Sequence, residues 1–265
     1  MLKLSGIARS TYYYYCKKQS TDKYKNEKRE IQEIFEKNKS RYGYRRITLE
    51  LKKLGYTINH KTVLKLMNEL GLKAKRCKNG KYHSYKGTVG KIADNILNRD
   101  FEADKPFKKL ATDVTQFNVC NEKIYLSPVL DLYNREAVSY SISKSPNLEQ
   151  IREMLNGLYS KLPKGAKPIL HSDQGWQYQH AEYQRSLKEH NITQSMSRKG
   201  NCMDNGAMEN FFGRLKVEMF YGEHFQTVDE FINRLEEYIN YYNNERIVTK
   251  LKMSPVQYRT HLATN

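Results

Sequence analysis

A chain of 265 residues is long enough for one large or two modest domains, either able to bury a true core. Its charge is the unusual feature: 46 Lys+Arg against 29 Asp+Glu gives +17, and residues 1–100 carry 25 basic and 9 acidic side chains, net +16, against 21 and 20, net +1, over residues 101–265. The basic half is expected to meet a polyanion, with nucleic acid the first choice, although a solvated basic surface or an AT-rich genome inflating Lys, Asn and Tyr codons yields the same composition. No run of about 18 apolar residues is present, which excludes a helical membrane span, and no secretory signal precedes the first basic stretch, so the expected location is cytoplasmic. Cys16, Cys77, Cys120 and Cys202 form no CxxC and pair with no histidine at zinc spacing, so reduced, unliganded cysteines are expected.

The elements read in order as follows. Residues 1–25 form a leader with a helix-start pattern at Gly6 to Ser10 and four tyrosines, Tyr12 to Tyr15, which suit packing on a neighbouring helix or partner better than stacking on bases. A small all-α domain is expected over 26–72. Ile31, Ile34 and Phe35 recur at helical spacing, and Tyr42-Gly43-Tyr44-Arg45-Arg46-Ile47 leads into a helix with Leu49, Leu51 and Leu54, stopped by Gly55. Asn59 can cap a following helix whose Val63, Leu64, Leu66, Met67 and Leu70 face inward, ended by Gly71. This is a helix-turn-helix pattern in which His60, Lys61, Thr62 and Lys65 could reach a DNA groove, with a plain three-helix bundle as the other reading. Residues 73–105 read as a basic linker, where Lys75 and Arg76 could track phosphates or simply tether.

From Lys109 the texture changes to strands: Leu110 to Val119, Lys123 to Leu132 and Glu136 to Ser143, with polar breaks at Asn121-Glu122 and Asn134-Arg135 that suit hairpins. A helix from Pro146-Asn147 to Leu162, a strand Ile169 to Ser172, a helix Ala181 to His190 and a strand Ile192 to Met196 follow. The fold class is therefore α/β, a ribonuclease-H-like mixed sheet with helices on both faces over 106–224, preceded by the helix-turn-helix domain. Residues 225–265 form a helical extension, with Val228 to Asn243 amphipathic and Ser254-Pro255 opening a last helix, which either packs on the core or binds DNA.

Ile169 to Ser172 delivers Asp173 to an exposed strand end, and in this layout the strand holding Asp113 lies beside it. Two close carboxylates repel unless a cation sits between them. Oxygen ligands alone favour Mg²⁺ or Mn²⁺, and Glu209, separated from Asp173 by 35 residues, would complete a two-ion site suited to phosphoryl transfer. Met208, Phe212, Leu215 and Met219 form a stripe that docks the Glu209 helix, leaving Glu209 at its edge. Gly213 and Lys216 follow on the same face, where Gly213 would leave room for a DNA backbone and Lys216 would bind its phosphate. His171 reads as a hydrogen-bonded neighbour more than as a base, and Trp176 suits a base stack or a sheet cover equally. No GxSxG or Cys-His pattern supports a serine or cysteine nucleophile.

Thr112-Asp113-Val114-Thr115, His171-Ser172-Asp173-Gln174-Gly175-Trp176-Gln177-Tyr178 and Asp204-Asn205-Gly206-Ala207-Met208-Glu209-Asn210-Phe211-Phe212 with Leu215-Lys216 resemble the catalytic core of bacterial insertion-sequence transposases related to retroviral integrases. The match is to the downstream-frame (OrfB) protein of the "insertion sequence three" family. The Tyr42 to Ile47 run is similar to that family's helix-turn-helix, and Tyr241-Tyr242-Asn243-Asn244-Glu245-Arg246 with Leu251 and Ser254-Pro255 to its tail. The resemblance implies a DDE triad at Asp113, Asp173 and Glu209, two Mg²⁺ ions, and cleavage and strand transfer at terminal inverted repeats. It also implies an upstream-frame (OrfA) partner or fusion, and assembly of a homo-oligomer on the terminal and target duplexes. Ile247-Val248 departs from the Pro-His of many relatives, away from the triad, and no amino-terminal His-His-Cys-Cys zinc module is present. The expected activity is transposition by attack of water and then a DNA 3′-OH on phosphodiesters. A structure-selective nuclease on the same fold, and a DNA-binding regulator active only as a fusion, are the rival readings.

Overall fold

The computed structural model describes residues 8–20, 22–75, 91–198 and 201–263. Its contacts divide the chain into two units, 1–75 and 76–265.

In the first unit, α1 (Arg9–Ser20) is followed by α2 (Lys25–Lys37), α3 (Tyr44–Lys53) and α4 (His60–Glu69). Tyr12, Tyr13 and Tyr14 are exposed on α1, so they join no core here. Helices α2, α3 and α4 bury Ile31, Ile34, Phe35, Ile47, Leu51, Val63, Leu66 and Met67 against one another, the apolar stripes their periodicity requires. Gly55 at φ 89° and Gly71 at φ 68° terminate α3 and α4 in the left-handed conformation glycine adopts without strain. The side chain of Asn59 caps α4 by accepting the Lys61 N–H at 2.8 Å. One expected inward position points out instead, Leu64, which lies on the outer side of α4 beside Lys61 and Lys65, and Leu54 is the exposed C-cap of α3.

The second unit is built on a six-stranded mixed sheet: β1 (Lys109–Thr112), β2 (Thr115–Val119), β3 (Glu122–Asp131), β4 (Ala137–Ser143), β5 (Ile169–Ser172) and β6 (Thr193–Met196). The expected single strand from Leu110 to Val119 is two, because the chain leaves the ladder at Asp113 and Val114. The pairs Thr112 with Val129 and Thr115 with Leu126 nevertheless keep one continuous antiparallel register on β3. Strand β4 pairs with β3, while β5 lies parallel to β1, and β6 parallel to β5.

Alternating residues of this sheet feed two cores. One face, with Ala111, Phe117, Ile124, Leu126 and Leu130, is covered by α8 (Gly206–Leu215) and α9 (Val228–Asn244) through Met208, Phe211, Leu215, Phe231, Leu235 and Tyr238. The other, with Leu110, Val129, Val138 and Leu170, is covered by α5 (Leu148–Tyr159), the short α6 (Trp176–Gln179) and α7 (Ala181–Glu189). The carboxy-terminal residues are thus part of the core: α9 completes one of its faces, and α10 (Pro255–Ala263) is bound to the β3–β4 turn by Arg259 on Glu136 (2.8 Å) and by Asn134 on the Pro255 carbonyl (3.1 Å).

The expected linker also divides. Arg76 and the residues to 90 lie outside those described, whereas 91–105 run along the sheet: Leu97 is buried, and the N–H groups of Ile96 and Leu97 donate to Ser195 Oγ at 3.0 and 3.2 Å. Leu97 belongs to no helical or strand period, so its burial is not visible locally, and its neighbours Ile92 and Ile96 stay exposed. Among the described residues no helix is long and apolar enough to cross a membrane.

Candidate active site

The site is set by strand register. In the parallel pair, Lys109, Leu110 and Ala111 face Ile169, Leu170 and His171. The same offset sets Asp113 against Asp173, one residue beyond the carboxyl end of each strand, where ligand sites of such sheets open. Each carboxylate is oriented by its own loop. Asp113 Oδ1 accepts the Val114 N–H at 2.7 Å, and Asp173 Oδ1 accepts the Gly175 N–H at 2.9 Å. A Cβ at Gly175 would stand 2.7 Å from the Gln177 amide nitrogen, which can turn away, and 3.0 Å from Asp173 Oδ1, so it would press on that carboxylate.

Burial raises the pKa of Asp113 well above the usual carboxylate range; the Asp173 charge adds to this, the Val114 N–H opposes it, Glu209 adds further and Lys216 opposes. Asp173 is raised as well, first by burial, with the Gly175 N–H opposing. A buried acid whose ionisation is hindered by a half-buried neighbour forms a locus that a divalent cation stabilises, and their oxygen donors suit a hard ion. These residues fit such an ion.

Glu209 approaches from α8, half-buried and within the electrostatic reach of Asp113. Among the described residues no three His, Cys, Asp or Glu side chains converge as ligands on one point. The structure therefore brings Asp113 and Asp173 together and holds Glu209 on the neighbouring helix. That helix starts from a 3₁₀ turn, Cys202–Asn205, whose Asn205 amide donates to the Thr112 carbonyl at 3.4 Å, next to Asp113. It runs on into a π-turn, Lys216–Phe220. Single π-turns recur at functional sites, and this one places Lys216 half-buried with Nζ 5.5 Å from the centre of the Phe117 ring. Burial lowers the Lys216 pKa, and the Asp113 charge works the other way.

His171 is fully buried, with Nδ1 2.9 Å from Ser195 Oγ and Nε2 3.4 Å from Ser197 Oγ. Burial lowers its pKa to about 4, which keeps the imidazole neutral at pH 7 as a link between β5 and β6. Trp176 opens α6, partly buried. In the sequence Asp204 is only one member of the motif that leads to Glu209. Its side chain has no exposure and accepts from Arg99, Arg198 and Asn95. Nothing local announces partners 105 and 109 residues away.

In the first unit, Lys61 and Lys65 are exposed on α4, and Arg45 is exposed at the start of α3 with Nε 3.1 Å from Tyr44 Oη. Arg46 departs from its expected place on the DNA side: it is buried over the Tyr42 ring at 5.3 Å and reaches the Arg41 carbonyl at 3.4 Å. With three to four residues per turn, Arg45 and Arg46 take different faces, and the bundle side falls to Arg46. Lys75 is partly buried, its N–H donating to the Ser40 carbonyl at 3.1 Å. Arg76 lies outside the described residues.

Comparison with known proteins agrees with these elements. The family described as integrase core domain matches residues 103–202 and, in a second form, 209–262, and the HTH-like domain family matches 22–80. The chain is 51% identical over 261 residues to the InsK protein for insertion sequence element IS150 of Escherichia coli strain K12, covering 98% of this chain and 92% of that one. It is 34% identical over 230 residues to the transposase InsF for insertion sequence IS3A of the same organism, covering 85% and 80%. A simian T-cell lymphotropic virus intasome in complex with PP2A regulatory subunit B56 gamma shares the fold, with TM-score 0.51 at 18% identity over 86% of this chain and 74% of that one. A helix-turn-helix-like amino-terminal unit, a ribonuclease-H-like sheet and this degree of identity place the chain in the insertion-sequence transposase family of the IS3 and IS150 type, DNA polynucleotidyl transferases with an integrase core.

Proposed function

We propose that Asp113, Asp173 and Glu209 are the catalytic carboxylates of this transposase and hold two Mg²⁺ or Mn²⁺ ions between them. The observation that carries the reading is the parallel register that sets Asp113 against Asp173, with Asp113 buried, Asp173 half-buried and Glu209 acting on Asp113. Bound ions would supply a deprotonated attacking oxygen and neutralise charge on the phosphate. In the first step water attacks the phosphorus at an element end: a P–O bond forms, the bond to the 3′ oxygen breaks and a 3′-OH is released. In the second that 3′-OH attacks a target phosphodiester, forming one P–O bond and displacing one 3′ oxygen, so no covalent protein intermediate is needed.

The residues divide this work. The Val114 and Gly175 N–H groups fix the carboxylates of Asp113 and Asp173, and α8 delivers Glu209 from the opposite side. Lys216, turned in by the π-turn, binds a phosphate of the DNA end, and Gly213 on the same side leaves space for its backbone. Neutral His171 holds β5 to β6 and carries no proton in the reaction. On α4, Lys61 and Lys65 engage duplex DNA with Arg45 beside them, and Lys75 together with Arg76 continues the phosphate track into the following segment. The substrates of this reading are the terminal inverted repeats and a target duplex. Transposition joins two ends, so the working form is a homo-oligomer on DNA, with an upstream-frame OrfA protein or fusion as a further partner.

The test is incubation of the purified chain with labelled duplexes carrying the parent element's ends, in Mg²⁺ or Mn²⁺, beside a Glu209→Gln control. Joined products that vanish in the control are expected. Cutting without joining would favour the nuclease, and binding with neither would assign catalysis to a fusion with the upstream partner.

A further inference from the structure

We infer that Arg99 and Arg198, oriented together on the buried carboxylate of Asp204, form a two-guanidinium site for a phosphodiester of the DNA strand that passes the start of the Glu209 helix. The inference rests on the proposal that α8 carries a catalytic carboxylate, and adds to it a substrate-binding site formed by other residues.

Asp204 lies in the 3₁₀ turn five positions before Glu209. Its Oδ2 accepts Arg198 Nε at 2.9 Å, the Arg198 backbone N–H at 3.0 Å and Asn95 Nδ2 at 3.0 Å. Oδ1 accepts Arg198 Nη2 at 3.0 Å and Arg99 Nε at 2.8 Å. Its pKa falls far below the usual carboxylate range, with the Arg198 hydrogen bond the leading cause and burial opposing. One guanidinium would neutralise this acid. Two are present, so the group keeps one positive charge in excess.

That excess faces outward. The Asp204 side chain has 0% exposure, whereas those of Arg99 and Arg198 keep 43% and 53%. Arg198 spends its Nε and Nη2 edge on Asp204, which turns Nη1 away, and Arg99 is tied through Nε, which leaves both Nη groups directed elsewhere. Two planar forks held side by side by one acid match the oxygens of a phosphodiester.

The placement is built. Asn98 and Arg99 both sit at positive φ, 43° and 65°, a conformation L residues adopt at a cost. The turn is held by Asn98 N–H on Asn95 Oδ1 at 2.8 Å and by Ser195 Oγ, which accepts from Ile96 and Leu97. On its other side, Asn205 on the Thr112 carbonyl joins the same 3₁₀ turn to the residue preceding Asp113. The fork is thereby fixed with respect to the carboxylates, as a group that positions a strand for attack must be.

The experiment compares wild type, Arg198→Lys and Arg198→Gln on duplexes carrying the element end, measuring the half-saturating DNA concentration for cutting and its dependence on salt. Arg99 still pairs with Asp204 in both variants, so neither orphans the acid, and thermal melts check that each is folded. A charge-assisted phosphate contact predicts an increase of about tenfold in half-saturating DNA for Arg198→Gln, with a salt slope shallower by about one unit. Arg198→Lys, which keeps the charge on Asp204 and loses the outward edge, is expected to recover only part of that affinity. Unchanged half-saturation and slope in folded variants would overturn the inference, as would a loss that tracks only a lowered melting temperature in Arg198→Lys. A wild-type chain that neither binds nor processes the duplex would instead overturn the functional reading on which it stands.

Discussion

The buried pair Glu218–Arg246 offers the sharpest energetic test of how this core is held. Glu218 belongs to the π-turn that carries Lys216, and Arg246 follows α9. Arg246 Nε and Nη2 each lie 2.7 Å from the carboxylate, Tyr238 Oη adds a third donor at 3.0 Å, and the side chains are 2% and 7% exposed. Burial alone would lower the arginine pKa, yet the bonds to Glu218 raise it above its ordinary value, so Arg246 stays charged beside that carboxyl group. Replacing Arg246 with Met fills comparable volume and strands a carboxylate in an apolar core, a change that costs about 3–5 kcal/mol. At roughly 2–4 °C per kcal/mol for a unit of this size, the melting transition should fall by about 6–20 °C. The double variant Glu218→Leu with Arg246→Met removes both charges and should recover most of that loss. The assay is a double-mutant cycle by urea denaturation and calorimetry on the full chain. A loss below about 1 kcal/mol for Arg246→Met, the range of a surface pair, would refute the claim that this ion pair is desolvated and locks the π-turn to α9.

Three further outcomes follow from local geometry. Gly175→Ala places a Cβ 3.0 Å from Asp173 Oδ1; its φ of −56° is ordinary, so melting should stay within about 1 kcal/mol of wild type while end cleavage falls about tenfold or more, measured by gel assay. Gly157→Ala puts a Cβ 2.5 Å from Ser139 Oγ, which already donates to the Met154 carbonyl at 2.6 Å, so either that hydroxyl gives up its bond or α5 shifts from β4, and stability should drop by about 1–3 kcal/mol in denaturant titration. Burial raises the Asp131 pKa to about 6 from 3.8. The folded chain therefore holds this proton more tightly than the unfolded chain, and its contribution, complete below pH 4, is lost as pH rises through 6, by about 3 kcal/mol. The stability difference between wild type and Asp131→Asn should shift by that amount between pH 3 and pH 7; a difference independent of pH would show that Asp131 titrates normally.

Local chemistry carried much of this molecule into view. Val63, Leu66 and Met67 repeat at helical spacing because one face of α4 must be dry, and Gly55 and Gly71 mark stops because only glycine takes their φ freely. The change of texture from Lys109 announced strands, and Asp113, Asp173 and Glu209 stood out because short ordered motifs surround each. Those signals depend on residues within a few positions of one another, so they survive in one dimension.

Other features depended on which distant segments meet. The break at Asp113 and Val114 arises where β1 leaves the ladder it shares with β3 and turns its carboxylate toward β5. Arg46 went inward and Leu64 outward because the packing of three helices, not periodicity alone, chooses the dry face. Leu97 joined the core where Ser195 offered an acceptor to its N–H and to that of Ile96, and α9 completed a sheet face that would otherwise expose Phe117 and Leu126. The partners of Asp204 and Glu218 were likewise set in space: a buried carboxylate must be paired, but its sequence does not say by which of 46 Lys+Arg. The chain by itself determined the acids, the helix-turn-helix pattern and the sheet, because period and turn chemistry are local. Tertiary structure decided which cations meet those acids and which way each side chain faces, because burial and charge pairing exist only once remote segments share a surface.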